Sequence, residues 1–217
     1  MDMFQKSYDI FIREQTVKEE NTIVIFEITL SNLKASGEID EQDFMDRAEL
    51  LCSLGHMVMI SNFKEYFKLV EYFNNYTKER MGLTMGVSNL IDVFDEKYYR
   101  HLSGGILEAF GKLFFKNLIV YLYPMRDPET GRILTSNNIK VHPRMKELYK
   151  FFKYNGQVMD IIDYDPEVLD IYSRDVLKKI TNHKEGWEEM LPDGVATMIK
   201  ENHLFLPKKN QPAQEVE

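Results

Sequence analysis

Residues 22–30 read TIVIFEITL, an apolar run rich in β-branched side chains. Two similar runs follow, MVMI at residues 57–60 and MGLTMGV at residues 81–87. Each run leads into a segment with apolar residues at helical spacing, and this alternation is typical of βαβ units on a parallel sheet. A fourth run, LIVYLY, occupies residues 118–123. The sequence therefore predicts an α/β fold, with a Rossmann-like parallel sheet of at least four strands and helices on both faces.

The helices of this pattern have recognisable ends. Helical spacing of apolar residues predicts helices over residues 41–54, 63–76, 90–99, 106–115 and 143–154. Gly55 is expected to end the first of them, because glycine readily adopts the left-handed conformation found at helix C-termini. Pro143 is a favoured first helical residue, and Asn155 with Gly156 is expected to end the helix that it begins.

A turn is predicted after the fourth strand. The segment DPETG at residues 127–131 favours a turn, since Asp-Pro begins turns and Gly131 tolerates a positive φ. A return strand over residues 132–141 would complete an appended β-hairpin. A helical C-terminal extension follows, so that residues 1–207 are interpreted as a single α/β domain and residues 208–217 as a disordered tail.

Composition limits the classes of partner. Hydrophobic residues make up 44% of the 217 residues, enough for a folded core. The net charge of −8 disfavours binding to nucleic acid or to an anionic membrane, which both need a basic surface. The single cysteine, Cys52, lies in an apolar segment that suits a buried thiol in a reducing compartment. With no apolar run of membrane-spanning length and no signal peptide in MDMFQKSYD, a cytoplasmic location is expected.

Polar dipeptides follow the first three apolar runs. Ser31-Asn32, Ser61-Asn62 and Ser88-Asn89 each come directly after one run. The carboxyl ends of parallel strands share one edge of a sheet, where ligands bind in doubly wound folds, and helix N-termini there attract anions. The pattern predicts a site for a small anionic ligand such as a nucleotide. The alternative is that these residues only cap the helices that follow, since Ser and Asn are favoured caps.

Two further features extend this hypothesis. Gly104 and Gly105 precede a predicted helix and would let its backbone approach a phosphate, but the signal is weak and a plain turn is the favoured interpretation. Arg126 begins a locally basic segment, residues 126–150, which would hold an anion or simply form a solvated face. The predicted site residues are Thr29, Ser31, Asn32, Ser61, Asn62, Ser88, Asn89, Gly104, Gly105 and Arg126.

Motifs for specific chemistry are lacking. The five histidines are scattered, so no metal site is predicted, and no cofactor is identified. Asp160, Asp163 and Asp165 lack the calcium-loop pattern and favour a polar loop or cap. Catalysis stays open, and the alternative function is a non-catalytic interaction or assembly domain, with homo-oligomerisation open. Its support is a set of aromatic residues, some surplus to a core: Tyr66, Phe67, Tyr72, Phe73, Tyr76, Tyr98, Tyr99, Tyr149, Phe151 and Phe152.

The first strand resembles that of one enzyme class. A strand, a helix and a second strand ending in serine are similar to the core of haloacid-dehalogenase-like phosphatases. In that family two aspartates on the first strand carry out the reaction, and Glu27 and Thr29 stand at those positions in IVIFEITLSN. The resemblance implies a related topology without the aspartyl-phosphate mechanism.

Five segments of the sequence resemble a second protein family: RAELLCSLGHMVMISNFKEYFKLVEYF, YTKERMGLTMGV, FDEKYYRHLSGGILEAFGKLF, VYLYPMRDPETG and WEEMLPDGVATMIKENHLF. They resemble the C-terminal half of a bacterial protein family of roughly double this length, over residues from about 3 to 205. Members of that family are labelled nicotinate-nucleotide adenylyltransferase or TonB-dependent receptor. The H-x-G-H and I-S-x-T-x-x-R motifs of such adenylyltransferases do not occur in the chain. The resemblance therefore implies no catalytic residues.

Overall fold

The β-branched runs form parallel strands, as their composition predicts. The computed structural model describes residues 1–30 and 41–205. The chain divides into two compact units, one of Met1–Ile23 with Asn62–Asp170 and the other of Val24–Ser61 with Ile171–Glu217. Parallel sheets and helices occur together, so the predicted α/β class is confirmed. The predicted tail, residues 208–217, lies outside the described residues.

The first unit contains a three-stranded parallel sheet. Its strands are β3 (Met81–Gly86), β4 (Leu118–Tyr123) and β7 (Val158–Asp160), in the order β3-β4-β7. The register pairs Gly86 with Tyr123, and Leu122 with Asp160. β4 is central and buried along almost its whole length, which explains why LIVYLY shows no polar alternation.

Helices cover both faces of this sheet. On one face lie α3 (Tyr66–Asn74), α4 (Val87–Val93), α5 (Gly105–Leu113) and α6 (Lys146–Tyr154). Their aromatic side chains form the main core, in which the rings of Phe114 and Phe152 stack at 4.0 Å. The other face is covered by α1 (Asp2–Phe11), whose Phe11 ring meets the Tyr121 ring edge-on.

The second unit contains a two-stranded parallel sheet, β1 (Ile25–Thr29) and β2 (Met57–Ser61), in register from end to end. Its helices are α2 (Glu41–Ser53), α7 (Ser173–Thr181) and α8 (Val195–Glu201). A separate apolar cluster surrounds Trp187, with Val176, Ile180, Val195, Ile199 and Leu204 buried against it.

The strand pairing differs from the sequence prediction. The four predicted strands fall into separate sheets of two and three strands, not one sheet, among the described residues. The spacing of apolar runs indicates strands, but it does not indicate which strands share hydrogen bonds. β7 was not predicted, because its three residues are too few to show a period. The hairpin is present as β5 (Met125–Arg126) paired with β6 (Ile133–Leu134), and the return strand is far shorter than residues 132–141.

Helix boundaries are mostly close to prediction. Gly55 and Gly156 adopt positive φ values of 81° and 71° two residues after the last residues of α2 and α6, which confirms them as helix ends. The helical C-terminal region is also confirmed by α7 and α8. Cys52, however, is exposed, so the expected burial of its thiol is wrong. Leu50 of the same helix packs on the unit's core, and two residues further on the helix has turned by about 200°. No helix in the described part of the chain is long and apolar enough to span a membrane.

Candidate functional site

The predicted site residues belong to two different units. Thr29 and Ser61 are register partners at the carboxyl ends of β1 and β2, in the second unit. The others that the structure describes belong to the first unit: Asn62, Ser88, Asn89, Gly104, Gly105 and Arg126. Ser31 and Asn32 lie outside the described residues.

The polar dipeptides do not cap the helices that follow them. The N-cap of α4 is Gly86, and Ser88 and Asn89 lie inside the helix as its second and third residues. The Ser88 hydroxyl is 3.6 Å from the Met125 sulfur. The N-cap of α3 is Glu65. The alternative that these pairs only cap helices is therefore wrong for both described pairs.

The first residue of the glycine pair is hydrogen-bonded by a side chain of α5, the helix that follows it. The backbone N–H of Gly104 donates to the Glu108 carboxylate at 3.0 Å, and this bond holds the pKa of Glu108 below its usual value. Gly105 begins α5 with a φ of 56°. In the structure the Glu108 carboxylate is therefore the partner of the Gly104 N–H.

Arg126 and the aspartates have structural partners at the carboxyl edge of the three-stranded sheet. The Arg126 Nε donates to both oxygens of the Asp170 carboxylate, at 3.0 and 3.1 Å. Asp160 accepts hydrogen bonds from Ser136, and Asp165 from the backbone of Glu167. The interpretation of the aspartates as loop-forming residues therefore agrees with these contacts. In the basic segment, the exposed basic residues are Arg132, Lys140, His142, Arg144 and Lys146.

A cationic cleft lies at the opposite end of the same sheet, next to the amino ends of β3 and β4. Its volume is about 530 Å³. The lining residues are Thr16, Asn74, Lys78, Glu79, Arg80, Phe115, Lys116 and Asn117. Three of these eight side chains are cationic and one is acidic, in a chain whose net charge is −8. We call this site the cationic cleft.

Strand register brings the two walls of the cationic cleft together. Met81 of β3 pairs with Leu118 of β4, so the segments that precede these strands lie side by side. The Met81 N–H donates to the Asn117 carbonyl at 2.9 Å, and the Asn117 side-chain amide donates to the Glu79 carbonyl at 2.7 Å. Lys78 and Lys116 are thereby carried on two walls that are tied to each other by hydrogen bonds.

The three cations differ in how they are paired. Arg80 donates to Glu14 at 2.6 Å and to the Lys116 carbonyl at 3.3 Å, so its charge is largely neutralised. Glu14 also accepts from the buried Tyr121 hydroxyl, and burial together with this bond raises the pKa of Tyr121. The Lys78 ammonium bonds to the Asn74 carbonyl. Neither Lys78 nor Lys116 forms an ion pair within the described residues, so both charges remain available to a ligand.

The chemistry of the cationic cleft suits a small anion. Two ammonium groups supply charge and rotatable donors, and the Asn74 and Asn117 side chains line the same space. Phe115, which packs against the main core, also lines the cleft. This site is not predicted from the sequence, because the predicted site residues follow strands, whereas these cations come just before strands, in YTKERMG and FFKNLI.

Comparison with protein-family models, with curated proteins and with solved structures finds no match to this chain. Function must therefore be argued from the geometry of the sites.

Proposed function

We propose that the protein binds a small anionic ligand in the cationic cleft. The observation that carries this proposal is the pair of ammonium groups, Lys78 and Lys116, on the two walls of one cleft without acidic partners among the described residues. Such a ligand, for example a phosphate ester or a nucleotide, is the class that the sequence analysis expected, at the other end of the strands.

The overall charge of the chain strengthens this argument. A protein with a net charge of −8 repels small anions over most of its surface. A cleft that gathers cations in such a protein provides a local positive potential. The Arg80–Glu14 pair fixes one wall and adds little net charge, so binding should depend mainly on the two lysines.

A second candidate function is an interaction surface formed by exposed aromatic residues. Several of the aromatics noted in the sequence are buried in the core, including Phe67, Tyr99 and Tyr149. In contrast, Tyr76 is 74% exposed and its ring lies 5.0 Å from that of Tyr72. Exposed aromatic pairs are favoured at protein interfaces, which supports this second candidate.

The decisive experiment is a thermal-shift and calorimetric screen with orthophosphate, pyrophosphate and nucleotides. A ligand at ~100-fold its dissociation constant should raise the unfolding midpoint by roughly 5–11 °C for a domain of this size. Lys78→Glu combined with Lys116→Glu should abolish the shift. The matched control, Arg144→Glu with Lys146→Glu, makes the same change in net charge on exposed residues and should retain it.

Two results would refute the proposal. One is that none of these anions raises the midpoint of the wild-type protein. The other is that the double lysine variant, shown to be folded by circular dichroism, binds the anion as tightly as the control does. A strict dependence of oligomerisation on Tyr76 would instead favour the interaction surface.

A further inference from the structure

Glu27 is an acidic residue inside an otherwise apolar strand of the second unit. It lies in the middle of β1, between Phe26 and Ile28, and its side chain is partly buried. On the same face of the sheet its register partner is Met59 of β2. Carboxylates are rarely placed in such surroundings, because removing a charge from water is costly unless the charge is paired.

One hydrogen bond orients this carboxyl group. The Ser61 hydroxyl donates to Glu27 Oε1, and Ser61 is only 7% exposed. Burial raises the pKa of Glu27, and the bond from Ser61 offsets part of that rise. No cation of the described residues forms an ion pair with Glu27, and its second oxygen, Oε2, makes no hydrogen bond within them. The group is thus held in place with one oxygen available.

The charged groups of the neighbouring elements are engaged elsewhere or exposed. β2, the strand paired with β1, has no charged residue. On α2, which packs on β2, Asp43 pairs with Arg47 at 2.8 Å. Asp46 of the same helix accepts from Gln42 and from the Phe205 N–H, both at 2.5 Å. Its remaining acids, Glu41 and Glu49, are exposed.

We propose that the Glu27 carboxylate, oriented by Ser61, binds the ammonium group of a small alkylamine on the face of the β1–β2 pair that carries both side chains. An ammonium supplies both the charge and the hydrogen-bond donor that Glu27 Oε2 lacks. Ile25, Met57 and Met59 lie on the same face and offer an apolar surface to the alkyl chain. The site is independent of the cationic cleft, because the two belong to different units.

Methionine methyl groups make this proposal directly measurable. In protein labelled with methyl-¹³C methionine, n-butylammonium should shift the Met59 signal in a saturable way, with the signal assigned from Met59→Leu. Tetramethylammonium, which has the charge but no N–H donor, and n-butanol, which has the chain but no charge, should not do so. The affinity should increase as the pH rises through the pKa of Glu27, because only the carboxylate binds an ammonium.

Variants separate the carboxylate from general effects. Glu27→Gln keeps the shape of the side chain and should weaken binding about tenfold or more. Glu49→Gln changes an exposed acid of the same unit and should leave binding unchanged. Ser61→Ala keeps the charge of Glu27 but removes the hydrogen bond that orients its carboxyl group. It should therefore weaken binding less than Glu27→Gln does. The absence of a saturable Met59 shift at millimolar butylammonium, or an equal shift in Glu27→Gln, would overturn the proposal.

Discussion

The Asp160 carboxylate accepts hydrogen bonds from both the backbone N–H and the hydroxyl of Ser136, at 2.7 and 2.6 Å. Ser136 is 4% exposed, and its carbonyl accepts a further bond from the Tyr149 hydroxyl at 2.7 Å. The loop after the hairpin is thereby fastened to the end of β7. The N–H and the hydroxyl of Ser136 therefore both depend on the Asp160 carboxylate.

Asp160→Ala should therefore lower the free energy of unfolding by about 2–4 kcal/mol, because it leaves two buried donors of Ser136 without an acceptor. Ser136→Ala removes one donor together with its bond and should cost less. The control is Asp163→Ala: its carboxylate is 88% exposed and pairs with Lys6 at 3.3 Å, so its loss should change stability by about 0.5 kcal/mol or less. Urea denaturation measures all three, and similar losses for Asp160→Ala and Asp163→Ala would contradict the structural role.

Close packing between α1 and the sheet requires glycine at residue 82. A Cβ atom at Gly82 would lie 2.9 Å from Tyr121 Cε2 and 3.1 Å from Phe11 Cδ2. Since the Tyr121 ring is buried, Gly82→Ala should destabilise the protein by about 1–3 kcal/mol. Gly111→Ala is the matched control, because it lies inside α5 with open space around it and should stabilise by about 0.5–1 kcal/mol. An unchanged midpoint of thermal unfolding for Gly82→Ala would show that α1 can move away from the sheet at little cost in free energy.

Two helices of the second unit end with histidine where glycine is usual. After α7, the His183 N–H donates to the Ile180 carbonyl and the Lys184 N–H to the Lys179 carbonyl, with a φ of 52° at His183. Non-glycine residues are strained in this conformation, so replacing them with glycine relieves strain in the folded state. Glycine also has more conformational freedom in the unfolded chain, and this offsets part of the gain in the free energy of unfolding.

His183→Gly should thus raise the free energy of unfolding by about 1 kcal/mol. His203→Gly should act alike, because His203 follows α8 with a φ of 54°. Gly156→Ala, at a φ of 71°, should lower stability by a similar amount, about 1 kcal/mol. Denaturant titration of the three variants checks the signs, and a destabilising His183→Gly would indicate that the imidazole makes contacts worth more than the strain.

Some of these helix ends can be predicted from the sequence, and others cannot. Gly55 and Gly156 identify the ends of α2 and α6 because a single residue type has the required backbone freedom. His183 and His203 carry no such signal, because histidine adopts a positive φ far less often than glycine does.

The candidate sites, like the helix ends, can be predicted from the sequence only in part. Apolar composition identifies β1 to β4 as strands, and Ser61 and Thr29 do lie together at a strand edge. The cationic cleft, however, depends on Glu14 holding Arg80, residues 66 positions apart, and on the pairing of β3 with β4. Contacts of this kind are set by tertiary packing and leave no local pattern in the sequence.

Glu27 makes the stability of the protein depend on pH. Because burial raises the folded-state pKa of Glu27 above its ordinary value of 4.5, the native state binds this proton more tightly than the unfolded state does. The contribution of the group to stability is therefore fully present below pH 4.5 and is lost as the pH rises through the folded-state pKa. Glu27→Gln cannot lose a proton and escapes this loss.

The free energy of unfolding of Glu27→Gln minus that of the wild type should consequently increase from pH 4.5 upward and become constant above the folded-state pKa. Urea denaturation at closely spaced pH values, in a buffer free of amines, measures this difference. For the exposed control Glu49→Gln the difference should stay flat over the same range. If the Glu27→Gln difference is flat as well, or falls as the pH rises, then the carboxylate is paired with a cation in solution and its burial carries no penalty.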